Sequence, residues 1–146
     1  MEVSVIIANY NGSLYLQQCI ESVLNQNFSG TYEVIIIDDC STDESQSILD
    51  RLSDNRLVKV FNHSNLGVSY CRNIGIRASK GKYIAFVDSD DFVSDQFLSA
   101  LHSGFLTHNS IDMVVIPFYG YHNNGEKKVL ESDGYGVSHS TKVSVD

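Results

Sequence analysis

The sequence predicts an α/β fold, a mostly parallel sheet with helices on both faces and a C-terminal hairpin. Short apolar runs alternate with segments of helical periodicity about a dozen residues long, the pattern of βαβ crossovers. Several runs, such as Val34-Ile35-Ile36-Ile37, are unbroken by polar residues, as interior parallel strands are. Three strand ends carry the polar sequences Asn9-Tyr10-Asn11, Asp38-Asp39 and Asp88-Ser89-Asp90-Asp91. They fall where open parallel sheets bind ligands, in the crevice at the carboxyl ends of the strands.

Val3 to Ala8 reads as the first strand, broken by the turn residues Asn9-Tyr10-Asn11-Gly12. From Leu14 onward Leu16, Cys19, Ile20, Val23 and Leu24 recur at helical spacing and give one buried stripe, which Asn25-Gln26-Asn27 ends. Glu33 to Ile37 forms a second strand closing on Asp38-Asp39. Ser41-Thr42-Asp43-Glu44 fits a capping box for a helix whose core face is Ile48, Leu49 and Leu52. Leu57 to Phe61 is a weaker third strand with the loop Asn62 to Gly67. A helix from about Val68 to Ser79 follows, with Gly81 as its stop. Tyr83 to Val87 then reads as a strand buried on both faces. Ser94 is placed to cap a helix presenting Phe97, Leu98, Leu101 and Phe105 on one side, and Met113 to Ile116 reads as a fifth strand. Phe118 to His122 and Lys127 to Leu130 flank Asn123-Asn124-Gly125, a hairpin signal. From Ser132 the chain offers little to bury, so the expected division is a core over 1–118 and a hairpin with a poorly packed tail over 119–146.

With 146 residues the chain is sized for one domain, and its net charge of −8 with ten Lys and Arg excludes a nucleic-acid binder. Such a chain binds a nucleotide through a cation, backbone amides and a few placed side chains. The three cysteines, Cys19, Cys40 and Cys71, are odd in number and lack Cys-x-x-Cys spacing, so they read as free thiols of a reducing compartment. The start Met1-Glu2-Val3-Ser4 has no basic leader, and no run approaches the ~20 apolar residues of a membrane span. The expected location is cytoplasmic, with peripheral attachment to the inner face of a membrane left open. The five histidines show no ligand spacing.

Carboxylates as close as Asp88, Asp90 and Asp91 repel, and a hard divalent cation with oxygen ligands relieves that repulsion. Asp-x-Asp at a strand's end is thus half a metal site, its other half arriving with a diphosphate. Four segments, Ser4 to Gly12, Glu33 to Asp43, Asn65 to Gly75 and Gly81 to Asp91, occur in an order that resembles the nucleotide-binding half of family 2 glycosyltransferases, with their Rossmann-like GT-A fold. The resemblance covers roughly residues 3–118. It implies a nucleotide-sugar donor, usually a UDP-sugar, Mn²⁺ or Mg²⁺ as cofactor, and transfer with inversion to a hydroxyl of a saccharide or lipid-linked saccharide acceptor. It also implies residue roles. Ala8 and Tyr10 line the base and ribose pocket; Asp39, with Asp38 as the alternative, accepts the base imide N–H; Arg72 faces the base or diphosphate; Asp88 contacts the ribose; Asp90 and Asp91 hold the metal. Cys71 stands where the family usually has Ala. Inverting transfer also needs a general base, which in relatives lies roughly a hundred residues beyond the acidic cluster. Nothing around Glu131 or Asp133 resembles it, so the expectation is a fragment without the acceptor-binding half and catalytic base. The alternative is a nucleotide-binding module without turnover.

Overall fold

The computed structural model describes residues 1–107, 111–115, 119–121 and 127–129. The chain forms β1 (Val3–Asn9), α1 (Ser13–Leu24), β2 (Tyr32–Asp38), α2 (Ser45–Arg51), β3 (Leu57–Phe61), α3 (Val68–Ala78), β4 (Tyr83–Asp88), α4 (Phe97–Thr107), β5 (Tyr119–Tyr121) and β6 (Lys127–Val129). It divides into two compact units, residues 1–98 and 99–146.

The first unit is built on a four-stranded sheet of order β3-β2-β1-β4, parallel throughout. Right-handed crossovers decide where the helices go. The steps from β1 to β2 and from β2 to β3 run one way across the sheet and put α1 and α2 on one face; the step from β3 back to β4 puts α3 on the other. Accordingly α1 and α2 pack on each other, and α3 packs on β1 and β2. Side chains alternate along each strand, so Ile6, Ile35 and Ile37 meet Cys71 of α3 in one cluster. Val5, Ile7, Val34 and Ile36 point the other way and are equally buried, as is the stripe Leu16, Cys19, Ile20 and Val23 of α1.

Two glycines let backbones approach closely. A Cβ on Gly75 of α3 would lie 2.4 Å from Ile6 Cγ2, and one on Gly81 would lie 2.5 Å from the Ser4 backbone nitrogen. Gly81 is therefore a packing glycine beside β1 and not a helix stop, since α3 ends at Ala78 with Ser79 already extended. Near it Ser4 Oγ donates to Glu33 Oε1 at 2.7 Å and accepts from the Gly81 N–H at 2.8 Å, tying the amino ends of the strands together. At the same end Arg56 bridges Asp54, Tyr32 and the Leu24 carbonyl.

Three further expectations are corrected. The capping box does not form, because Ser41 turns back onto Asp38, and Asp43 Oδ1 instead accepts the Ser45 N–H at 2.9 Å at the start of α2. β4 is not buried on both faces, because α3 lies over β1 and β2; Ala85 and Val87 are covered, whereas Ile84 and Phe86 are 38% and 46% exposed. Residues 113–115 form no strand, and Ile116 lies outside the described residues. In the second unit β5 and β6 pair antiparallel, as the hairpin pattern requires; the Asn123-Asn124-Gly125 turn and the tail from Ser132 lie outside the described residues. Among the described residues no helix is long and apolar enough to cross a membrane.

Candidate functional site

The sheet register sets the site. Asn9 pairs with Asp38 and Ala8 with Asp88, so β2, β1 and β4 end at one level and the loops after them leave side by side. The three polar sequences thus meet along one rim.

Side-chain hydrogen bonds fix two of these loops to each other. Asp38, only 3% exposed, accepts Asn9 Nδ2 at 2.7 Å, Ser41 Oγ at 2.6 Å and the Ser41 N–H at 3.0 Å. Asn11, in the left-handed region at φ 54°, donates its N–H to Ser41 Oγ and accepts the Thr42 N–H on Oδ1. Asp43 Oδ2 accepts the Ser13 N–H at 2.8 Å. Burial works against the Asp43 charge, yet hydrogen bonds from Ser45 and Ser13 outweigh it and hold the carboxyl at about 2.

Asp39 anchors the loop that follows β3. Its side chain accepts Asn62 Nδ2 at 2.7 Å and the Gly67 N–H at 2.7 Å, and the Leu66 N–H lies 3.0 Å from both its oxygens. Gly67 sits at φ 87°, a conformation glycine adopts without strain, and that turn presents its N–H to the carboxylate. Burial would raise the Asp39 carboxyl, but Asn62, the two amides and the Cys71 thiol together keep it below its ordinary value.

The remaining predicted residues stay accessible. Tyr10 is half exposed, and Ala8 is partly buried against the cluster under α3. Arg72 of α3 lies over the Phe86 ring and donates to Asp88 Oδ1 at 2.6 Å. Asp88, Asp90 and Asp91 are exposed and close together, the Asp91 N–H closing a turn on the Asp88 carbonyl. Loss of water and then the charges of Asp90 and Asp88 raise the Asp91 carboxyl. The same three charges, after burial, push the Cys19 thiol up to about 12 from beneath. This concentration of negative oxygen suits a hard divalent cation. Among the described residues no three His, Cys, Asp or Glu side chains form a metal cage, so such an ion needs further oxygens from water or a diphosphate. The sequence reading missed Asn62, Ser41, Asp43 and Gly67 as parts of the site, having read them only as loop or cap.

The family model described as Glycosyl transferase family 2 matches residues 4–142. Glycosyltransferase GlyG of Streptococcus pneumoniae is 35% identical over 121 residues, 82% of this chain and 40% of the relative. The Escherichia coli UDP-Glc:alpha-D-GlcNAc-diphosphoundecaprenol beta-1,3-glucosyltransferase WfaP is 38% identical over 101 residues, 68% of this chain and 40% of its own length. The crystal structure of Staphylococcus aureus TarS 1-349 in complex with UDP-GlcNAc superposes with a TM-score of 0.70 at 28% identity, covering 81% of this chain and 37% of that one. The chain spans about two fifths of the length of these relatives.

Proposed function

The chain belongs to glycosyl transferase family 2, and from that premise we propose that it forms the donor site of an enzyme transferring a sugar from a UDP-sugar to a hydroxyl acceptor with inversion. The observation that carries the proposal is the level register of β2, β1 and β4, which gathers Tyr10 and the Asp88 to Asp91 cluster on one rim, where Arg72 of α3 reaches Asp88. Two relatives support the donor class, since TarS is known with UDP-GlcNAc and WfaP is named for UDP-Glc. WfaP, named for a diphosphoundecaprenol-linked sugar, supports a lipid-linked saccharide as acceptor.

Each residue's part follows from its chemistry. Tyr10 offers an exposed ring for the base to stack on, and Ala8 leaves space for the ribose above β1. The accessible carboxylate of Asp88 accepts a ribose hydroxyl. Arg72, a planar donor next to that carboxylate, faces the diphosphate. Cleavage between the anomeric carbon and the phosphate oxygen leaves charge on the diphosphate. Asp90 and Asp91 are the residues that would hold Mn²⁺ or Mg²⁺, whose chemistry there is neutralisation of that charge as a Lewis acid. Asp38 and Asp39 hold the loops that carry these groups.

Calorimetric titration of UDP with and without Mn²⁺, on wild type and Asp90→Ala, tests the reading. Metal-dependent binding that the substitution weakens about tenfold or more is expected. Equal affinity in all four titrations would refute the assigned role of Asp90. Release of sugar from UDP-sugar donors separates transfer from a module that only binds.

A further inference from the structure

The acidic cluster opens a segment that has little of its own to hold its shape. Residues 89–96 form neither helix nor strand, and their side chains are exposed or half-buried. Burial resumes only at Phe97 and Leu98. Within the cluster the charges of Asp90 and Asp88 act on Asp91, so like charges favour a splayed loop.

A row of side chains from α1 and its exit ties this segment down. Cys19 and Ser22 lie one turn apart on α1, and Gln26 follows just beyond the helix end. The Cys19 thiol, pushed up to about 12 and so protonated at neutral pH, donates to the Asp88 carbonyl at 3.4 Å. Ser22 Oγ donates to the Cys19 carbonyl at 2.7 Å, which uses its only hydrogen and leaves its lone pairs to accept the Val93 N–H at 3.1 Å. Gln26 engages both ends of its amide. Nε2 donates to the Ser22 carbonyl at 2.9 Å and the Ser94 carbonyl at 2.7 Å, and Oε1 accepts the Leu98 N–H at 2.9 Å. The Asn27 N–H adds a bond to the Asp95 carbonyl at 2.8 Å.

The backbone on both sides of Asp90 and Asp91 is thereby fastened to one helix and its exit. A small hard cation shared by two carboxylates requires their oxygens to converge, against their mutual repulsion. Ties that hold the loop before the cation arrives reduce the ordering that binding must impose.

We propose that Ser22 and Gln26 are positioning residues of the donor site, holding the loop of Asp90 and Asp91 in the shape that takes the divalent cation. The assignment rests on the metal role given to Asp90 above and extends it to side chains that act only through the loop backbone. Ser22 acts through Val93, and Gln26 acts through Ser94 and Leu98.

The test is the ratio of UDP affinities with and without Mn²⁺, measured by calorimetry, with urea unfolding of each variant beside it. Wild type should show a ratio well above one, and Asp90→Ala a ratio near one. Ser22→Ala keeps a good helix former in α1 and strands the Val93 N–H; Gln26→Met keeps the length of the side chain and removes its amide. Each should lower the ratio toward one, by about tenfold, the scale of outer-sphere partners in metal sites, with metal-free UDP binding unchanged. If Gln26→Met does not fold, Ser22→Ala decides alone. Lys59→Met controls for stability, since Lys59 caps α2 from β3 at the other margin of the sheet. It should leave the ratio at the wild-type value. A wild-type ratio in either α1 variant, where Asp90→Ala abolishes the metal effect, would overturn that residue's assignment and leave the role of Asp90 standing. An equal fall in Lys59→Met would reduce the effect to general stability and overturn both assignments. A wild-type ratio of one would remove the metal role of Asp90 together with this proposal.

Discussion

Gly75→Ala offers a direct measure of how tightly α3 is seated on the sheet. The added methyl would lie 2.4 Å from Ile6 Cγ2, 3.0 Å from Cγ1 and 3.1 Å from Cδ1, whereas ordinary contact begins at 3.4 Å. About 1 Å has to be found in a cluster where Ile6 is 1% exposed and Ile35, Ile37 and Cys71 are fully buried. Overpacking of this kind costs ~1–3 kcal/mol, and replacing Gly by Ala in a helix returns ~0.5–1 kcal/mol, so a net loss of about 1–2 kcal/mol is expected. Urea unfolding followed by far-UV circular dichroism would show it as a midpoint lowered by roughly 0.5–1 M with an unchanged slope. The double variant isolates the clash. Ile6→Ala alone should cost ~2–5 kcal/mol. Combined with Gly75→Ala, whose methyl occupies part of the vacated space, the loss should fall short of additivity by about 1 kcal/mol or more. A Gly75→Ala protein as stable as wild type, with additive effects in the pair, would refute the close seating of α3.

Acid should unfold the protein through identifiable carboxylates. Asp43 and Asp54 are each held at about 2 in the folded chain, Asp43 by Ser45 and Ser13 against its burial and Asp54 chiefly by Arg56. Both values lie below those of the unfolded chain, so their stabilisation is complete above about pH 5 and is lost as pH falls toward 2; each contributes about 1–2 kcal/mol. Urea midpoints measured from pH 6 to pH 3 should fall, and the fall should be smaller in Asp43→Asn; an identical pH profile for the two proteins would contradict the assignment. Lys59→Met should cost about 1–2 kcal/mol, because Lys59 Nζ donates to the carbonyls of Leu49 and Leu52 at the end of α2. Faster hydrogen exchange at Leu52 is the expected signature, and unchanged exchange would rule out the cap.

The strands were legible because burial of a parallel sheet writes itself as unbroken apolar runs, and β3 was placed at its observed bounds, Leu57–Phe61. Alternating runs and helical segments also indicated that the strands run mostly parallel, and the resemblance to family 2 glycosyltransferases agrees with the family match over residues 4–142. What the sequence could not carry was which side chains hold the loops of the rim in place. Asp38 and Asp39 read as site carboxylates, and only the folded chain reveals that Ser41 converges on Asp38 from 3 positions away and Asn62 and Gly67 on Asp39 from 23 and 28. Ser41 was misread for the same reason. A Ser three residues before a Glu is a capping signal, but Asp38 competes for its hydroxyl and wins with a hydrogen bond of 2.6 Å to a charged acceptor. β4 was misjudged because an apolar run does not reveal whether a helix will lie over both of its faces.

The open face of β4 bears on how the protein behaves at high concentration. β4 is the last strand of its sheet among the described residues, and it presents Ile84 and Phe86 to solvent on a pleated surface. An apolar strand at a sheet margin is a template for intermolecular pairing. Colloidal stability in solution should accordingly be governed by this margin, and a single lysine in place of Ile84 should raise solubility while Phe86, which carries Arg72 on its ring, is left in place.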